Sequence, residues 1–282
     1  MPVPHSVITG TTHGIGAVTA EALARAGHDL TLLVRDLNRG QTQAQALRSL
    51  NPRRDARIQA LACELSSFAS IRTAARQVAQ GPAITHLINN AGLTRLRREW
   101  TQDGFETVFA VNQLGPFLLT ELLRPLLRTR ARIINVASCA HEQVRHFDLG
   151  AVQHRPDPLP AYRPQQAYAH SKLANILWTL ALARRLEGSG ITAHCLHPGV
   201  VHTHLLPWPV RLLKPLVRRG MISAKAGART TLFLALHDNP AGLHGAYLDE
   251  HQRVVAPSAL AQDPELQEQL WEACARWTQA RA

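Results

Sequence analysis

Short apolar runs of strand length alternate along the chain with longer segments whose apolar positions recur at helical spacing. Strands buried on both faces read as near-continuous apolar runs, and parallel neighbours need long, usually helical, connections, so the alternation predicts a parallel sheet covered by helices. Strands are expected over 6–9, 29–34, 57–61, 84–88, 132–137, 192–196 and 245–248, and helices over 15–26, 39–50, 67–79, 104–111, 116–128, 166–186 and 224–235. The fold class is α/β, a single doubly wound domain over 1–282 with a mostly parallel seven-stranded sheet flanked by helices. No internal repeat, low-complexity tract or Ser/Gly linker divides the chain, and the Pro-containing stretches at 155–164 and 207–215 read as loops within that domain.

With 282 residues, 45% of them hydrophobic, the chain can bury a substantial core. Its four cysteines are far apart, form no C-x-x-C pair and follow no signal peptide, which points to reduced thiols and a cytoplasmic location. No stretch reaches the roughly 18 apolar residues of a membrane span. The net charge of +11 would suit nucleic acid, an anionic membrane surface or a phosphorylated ligand. The basic residues are scattered, with no Arg-rich tail or aromatic-interleaved RNA motif, which argues against nucleic acid.

The first strand runs into Thr9-Gly10-Thr11-Thr12-His13-Gly14-Ile15-Gly16, after which a helical pattern begins. A strand, a Gly-rich turn and a helix N-terminus present backbone N–H groups and the positive end of a helix dipole to a pyrophosphate. Gly10, Thr12, His13, Gly14, Ile15 and Gly16 are therefore dinucleotide-binding candidates. Their spacing departs from G-x-G-x-x-G, and a tight connection explains the glycines equally well. The second strand is followed by Arg35 and Asp36. An Arg there accommodates the 2′-phosphate of NADP, whereas an acid bonds a free ribose diol. Arg35 comes first and His13 flanks the turn, so NADP(H) is favoured over NAD(H); Asp36 on the ribose is the competing reading.

Further on, Tyr168-Ala169-His170-Ser171-Lys172 opens a long helical segment in which a four-residue spacing stacks Tyr168 and Lys172 on one face. A phenol with an ordinary pKa of about 10 is a poor base at neutral pH, and a nearby ammonium would lower it. Such a tyrosine can give a proton to a carbonyl oxygen or take one from an alcohol. The plain alternative is an amphipathic helix with a half-buried Tyr and a surface Lys.

Thr9–Gly16, Asn89-Asn90-Ala91-Gly92, Ser138, Tyr168-x-x-x-Lys172 and His197-Pro198-Gly199 resemble, in order and spacing, the short-chain dehydrogenase/reductase family, over almost the whole chain. Within it, the runs Cys63-Glu64-Leu65-Ser66-Ser67-Phe68, Val111-Asn112-Gln113-Leu114-Gly115-Pro116-Phe117-Leu118-Leu119-Thr120 and Tyr168-Ala169-His170-Ser171-Lys172-Leu173-Ala174-Asn175-Ile176-Leu177 are most similar to the retinol dehydrogenase-like group. The resemblance implies a Rossmann domain that transfers hydride between an alcohol or carbonyl compound and NADP(H). It implies Tyr168 as general acid/base and Lys172 as the residue that holds the nicotinamide ribose and lowers the Tyr168 pKa. Ser138 would bond the substrate oxygen, and Asn112 would support a water that relays protons from Lys172. Glu64, Leu65, Asn90, Ala91 and Gly92 would line the adenine side, while Pro198, Gly199, Val201 and Thr203 would cover the nicotinamide and diphosphate. Glu64 stands where the family usually has Asp, and Ala137 where a Ser is frequent; neither removes a catalytic group.

The segment from His204 to Met221 is apolar and basic together. It is read as a substrate lid, at about 200–222, over a lipophilic pocket. An amphipathic helix packed on the body is the plainer alternative, and contact with an anionic membrane surface a weaker one. His194, Cys195, His197, His202 and His204 are not taken as a metal site, because strand alternation sends His194 and Cys195 to opposite faces. The stretch 264–280 is either a packing helix or part of a homo-oligomer interface. Two non-enzymatic readings stand beside the oxidoreductase: a silent dinucleotide-binding sensor, and a scaffold using the basic surface.

Overall fold

The computed structural model describes residues 3–153, 161–199, 222–237 and 240–280. Strands β1 (His5–Thr9), β2 (Asp29–Val34), β3 (Ile58–Ala62), β4 (Ile84–Asn89), β5 (Leu127–Val136), β6 (Thr192–Leu196) and β7 (Tyr247–Leu248) form one sheet in the order β3-β2-β1-β4-β5-β6-β7. Every neighbouring pair in it is parallel. The C-terminal ends of all seven strands therefore lie along one edge, and the strand order reverses between β1 and β4, where α/β sheets open a ligand crevice.

Helices α1 (Gly14–Arg25), α2 (Leu37–Leu50) and α3 (Phe68–Val78) make the first crossovers. Alternate strand residues feed two cores. Val7, Leu87, Ile133 and Cys195 belong to one, and Ile8, Ile88, Ile134 and Leu196 to the other, on opposite faces of the pleat. His194 and Cys195 part in the same way, His194 bonding the Leu243 carbonyl at 2.7 Å.

Between β4 and β5 the chain forms a short helix α4 (Thr107–Phe109), a π-helical turn (Ala110–Leu114) and α5 (Gly115–Leu123). Here the structure corrects two expectations. The segments 104–111 and 116–128 are one bent helix rather than two, because Pro116 takes an early position in α5 where a missing N–H is tolerated. That helix ends at Leu123 instead of Arg128, since Pro125 closes it through a 3-10 turn (Arg124–Leu126). Strand β5 then begins at Leu127, five residues early, and absorbs a register shift between Ile84 and His86 with Arg130 in the left-handed region at φ 70°.

Helix α6 (Pro164–Arg185) follows, with thirteen buried residues that leave it little polar face. The expected helix at 224–235 is two pieces, α7 (Ala224–Gly227) and α8 (Arg229–Leu236). After α9 (Ala259–Gln262), α10 (Pro264–Thr278) packs on α6 and α5. Phe117 anchors that contact, with ring centroids 5.9 Å from Trp178 and 5.1 Å from Trp271. The 264–280 stretch is thus a packing helix within the chain.

Candidate active site

The Gly-rich turn after β1 is locked into the sheet edge. Thr9 Oγ1 accepts the N–H groups of Asn90 and Ala91 at 3.0 Å each, and Asn90 Nδ2 donates to the carbonyls of Thr9 and Gly10. Gly16 has to be glycine: a Cβ there would lie 2.3 Å from the Gly10 carbonyl oxygen and 2.4 Å from Asn90 Nδ2. Gly10 sits at φ 70° with its missing Cβ directed 2.8 Å from Ala91 Cα. These glycines serve the turn's own packing. What suits the turn to an anion is the start of α1, where the N-cap His13 side chain makes no capping bond and no acid occupies the first turn. The N–H groups around Gly14, Ile15 and Gly16 thus open toward the crevice without a side-chain acceptor, which fits a pyrophosphate.

Thr11, buried behind Thr12, donates to Gln43 Oε1 at 2.9 Å and accepts Gln43 Nε2 on its carbonyl. Gln43 of α2 is a brace for the turn that sequence reading missed, because its partner lies 32 residues away. Arg35 is exposed just beyond β2. Asp36, its competitor, caps α2 by accepting Arg39 N–H at 3.1 Å and pairs with the Arg39 side chain at 3.4 Å. Past β3, Glu64 is half-buried and already accepts the Ser66 N–H at 3.1 Å; Leu65 beside it is buried.

Ser138, Tyr168 and Lys172 come together at the ends of β5 and α6. The Ser138 hydroxyl stands beside the Tyr168 phenol, near enough to act on its pKa. Lys172 Nζ lies 5.7 Å from the Tyr168 ring centroid, donates to the Val136 carbonyl at 2.8 Å and donates to Asn175 Oδ1 at 3.2 Å. Lys172 is only 4% exposed, so it is no surface lysine, and burial lowers its pKa to about 8. The expected depression of the Tyr168 pKa by Lys172 is not what this geometry gives. Burial pushes the phenol upward, and the Ser138 hydroxyl, rather than the lysine, draws it partly back.

Ser138 is itself held. Its hydroxyl accepts the Ala140 N–H, and its carbonyl accepts His141 Nδ1 at 2.9 Å. Fully buried His141 takes the Ser258 N–H on Nε2, which fixes its tautomer. Asn112 lies in the π turn: its side chain accepts the Leu93 N–H and donates to the Leu93 carbonyl and to Ser171 Oγ. Gly92 borders both groups, a Cβ there falling 3.5 Å from Asn112 Oδ1 and from Lys172 Nζ. His197, Pro198 and Gly199 leave β6 at the same edge, where His197 pairs with Glu250 at 3.2 Å and Gly199 adopts φ 77°. Val201 and Thr203, with His202, His204 and the lid segment up to Met221, lie outside the described residues. A cavity of about 980 Å³ opens beside this centre rather than over it, lined by Phe109, Val144, Val152, Ala169 and His170 but not by Tyr168.

A doubly wound parallel sheet with a glycine turn at its switch point, and a Ser-Tyr-Lys cluster two strands away, defines a dinucleotide-binding oxidoreductase scaffold. The short chain dehydrogenase family model matches residues 4–147, and the chain belongs to that family. It is 38% identical over 276 residues to retinol dehydrogenase 12 of Mus musculus, covering 94% of this chain and 83% of that protein. Among solved structures, an uncharacterized protein from Mycobacterium paratuberculosis superposes with a TM-score of 0.78 at 32% identity, covering 99% of this chain and 96% of that one. A short chain dehydrogenase from Burkholderia cenocepacia in complex with NADP gives 0.69 at 26%, covering 87% and 95%. The protein is thus a short-chain dehydrogenase/reductase homologous to retinol dehydrogenases.

Proposed function

We propose that this chain interconverts an alcohol with an aldehyde or ketone, using NADP(H) and favouring lipophilic substrates. The observation that carries this is the convergence on Tyr168 of the Ser138 hydroxyl and of Lys172 Nζ, 5.7 Å from the ring centroid. The Gly10–Gly16 turn and the uncapped start of α1 would hold the diphosphate, and Asn90, Ala91, Gly92, Glu64 and Leu65 the adenosine side. Pro198, Gly199, Val201 and Thr203 would close over the nicotinamide, whose C4 supplies or accepts hydride when bound. Tyr168, kept protonated at neutral pH by burial, is set to give its proton to a substrate carbonyl oxygen. Ser138 donates a hydrogen bond to that oxygen as charge develops. Lys172 offers a positive charge beside the ring and a donor for the nicotinamide ribose. Asn112 retains a second carbonyl lone pair for a water that passes protons toward Lys172.

NADP(H) is favoured over NAD(H) because Asp36, although exposed, is engaged in capping α2 and pairing with Arg39, while Arg35 beside it is exposed at the end of β2. Retinaldehydes and related lipophilic carbonyls head the substrate panel, as the similarity to retinol dehydrogenases suggests, with the 200–222 segment acting as lid. The decisive assay is NADPH oxidation with all-trans-retinal, aliphatic and aromatic aldehydes and ketones, run beside Tyr168→Phe and with NADH. Turnover that drops by about 10³-fold in the variant is expected, in line with loss of a general acid. NADPH binding without turnover on any compound would favour the sensor instead, and a clear NADH preference would overturn the role of Arg35.

A further inference from the structure

In a regular helix the Asn112 carbonyl would accept the N–H of residue 116, which is proline and has none. The π turn leaves that carbonyl to be satisfied from outside, and Asn175 on α6 does so, donating from Nδ2 at 2.7 Å and also to Gln113 Oε1 at 2.9 Å. The opposite end of the same amide, Oδ1, accepts Lys172 Nζ. Asn175 therefore ties the π turn and the lysine together through one planar group.

Behind it runs a buried ladder from the sheet. Asn89 Nδ2 donates to Thr120 Oγ1 and to Asn135 Oδ1, Asn135 Nδ2 to Thr179 Oγ1, and Thr179 Oγ1 to the Asn175 carbonyl at 2.6 Å. Asn89 and Asn135 are register partners on β4 and β5, so the ladder starts from the most rigid part of the fold. Each member is at most 4% exposed. In such surroundings the bonds reinforce one another and a missing partner is costly.

We infer that Asn175 is a positioning residue: it fixes the Lys172 ammonium and the Asn112 main chain in a single arrangement and supplies one of the two acceptors that keep that lysine charged. The inference rests on the reading of Lys172 as part of the reaction centre. With two N–H bonds directed to the Val136 carbonyl and Asn175, the ammonium keeps one donor for a further acceptor. A role in packing alone would make Asn175 matter for stability but not for the proton affinity of Lys172.

The sequence makes this directly measurable, because it holds only three lysines, Lys172, Lys214 and Lys225. The experiment is an NMR titration of the full chain labelled at lysine Nζ and Cε, with Lys172→Met used to assign the signal. Asn175→Ala removes the acceptor and should move the Lys172 midpoint down by about one pH unit, the tenfold change expected for a lost charge-assisted hydrogen bond. Asn175→Asp, nearly the same shape, places a carboxylate on the ammonium and should move it up by at least as much. Equal midpoints in all three proteins would overturn the proposal, even if both variants melt early; opposite shifts would support it. Because this readout needs no turnover, it stands apart from the Tyr168→Phe assay, whose failure would remove the oxidoreductase reading and not the linkage between Asn175 and Lys172.

Discussion

Acid should unfold this protein well above the pH at which carboxylates titrate, because of the histidines packed at the N-terminal end of the sheet. Ser6 Oγ bridges His28 Nδ1 at 2.9 Å and His86 Nδ1 at 3.2 Å, with ring centroids 5.1 Å apart, and His194 is fully buried on β6. Burial is the largest cause at each, joined by the Arg132 cation, and it lowers the pKa to about 4 for His28, 3 for His86 and 4 for His194. His5 is displaced the same way. In the unfolded chain these side chains titrate near 6.5. Between that value and the folded ones the unfolded state binds more protons, so the stabilisation present above pH 6.5 is lost as pH falls toward 4. From about pH 7 to about pH 5 each of the three costs about 2 kcal/mol, and together they cost about 6 kcal/mol, comparable with the whole stability of many domains. Urea unfolding followed by tryptophan fluorescence at the two pH values measures it. His86→Gln should remove one share, so that its deficit against wild type at pH 7 shrinks by about 2 kcal/mol at pH 5. An unfolding free energy that changes by less than about 1 kcal/mol between the two would refute the argument.

Two further tests concern the site. Burial raises the Tyr168 pKa and lowers that of Lys172 to about 8, so carbonyl reduction should be level near neutrality and decline above pH 8, while alcohol oxidation rises with pH until the lysine charge is lost; rate profiles in both directions check this, and identical profiles would contradict it. Gly16→Ala forces a methyl against the Gly10 carbonyl and Asn90, which should cost about 2–3 kcal/mol in thermal unfolding and weaken NADPH binding, read by nucleotide fluorescence, at least tenfold; an unchanged melting point would show that the turn yields.

What could be read from the sequence followed from local causes. The apolar runs that became β1, β2, β4 and β6 are buried on both faces, so their pattern survives without knowledge of their neighbours. Gly10, Gly16, Tyr168 and Lys172 were legible because a turn or a one-turn helical spacing brings each motif together, whereas Ser138 and Asn112 were legible only through the resemblance to a known family. The bent α4–α5 unit was not, since Gly115-Pro116 looks like a break until the π turn ahead of it absorbs the missing N–H. The early start of β5 depends on a register shift against β4, which no local pattern announces. Gln43, His141 and Asn175 were passed over for the same reason: each acts through a partner distant in sequence, and only the folded chain shows that partner.

Tyr168 and Lys172 stand on α6, a helix buried through its middle, stapled below by the amide ladder and alongside by Trp178 and Trp271. Side chains seated there have no local route to disorder: displacing them means opening the centre of the molecule, an event that costs nearly the full unfolding free energy. Mobility needed for a ligand to enter and leave must then be supplied elsewhere on the rim, and Tyr168 and Lys172 keep their alignment for as long as the protein stays folded.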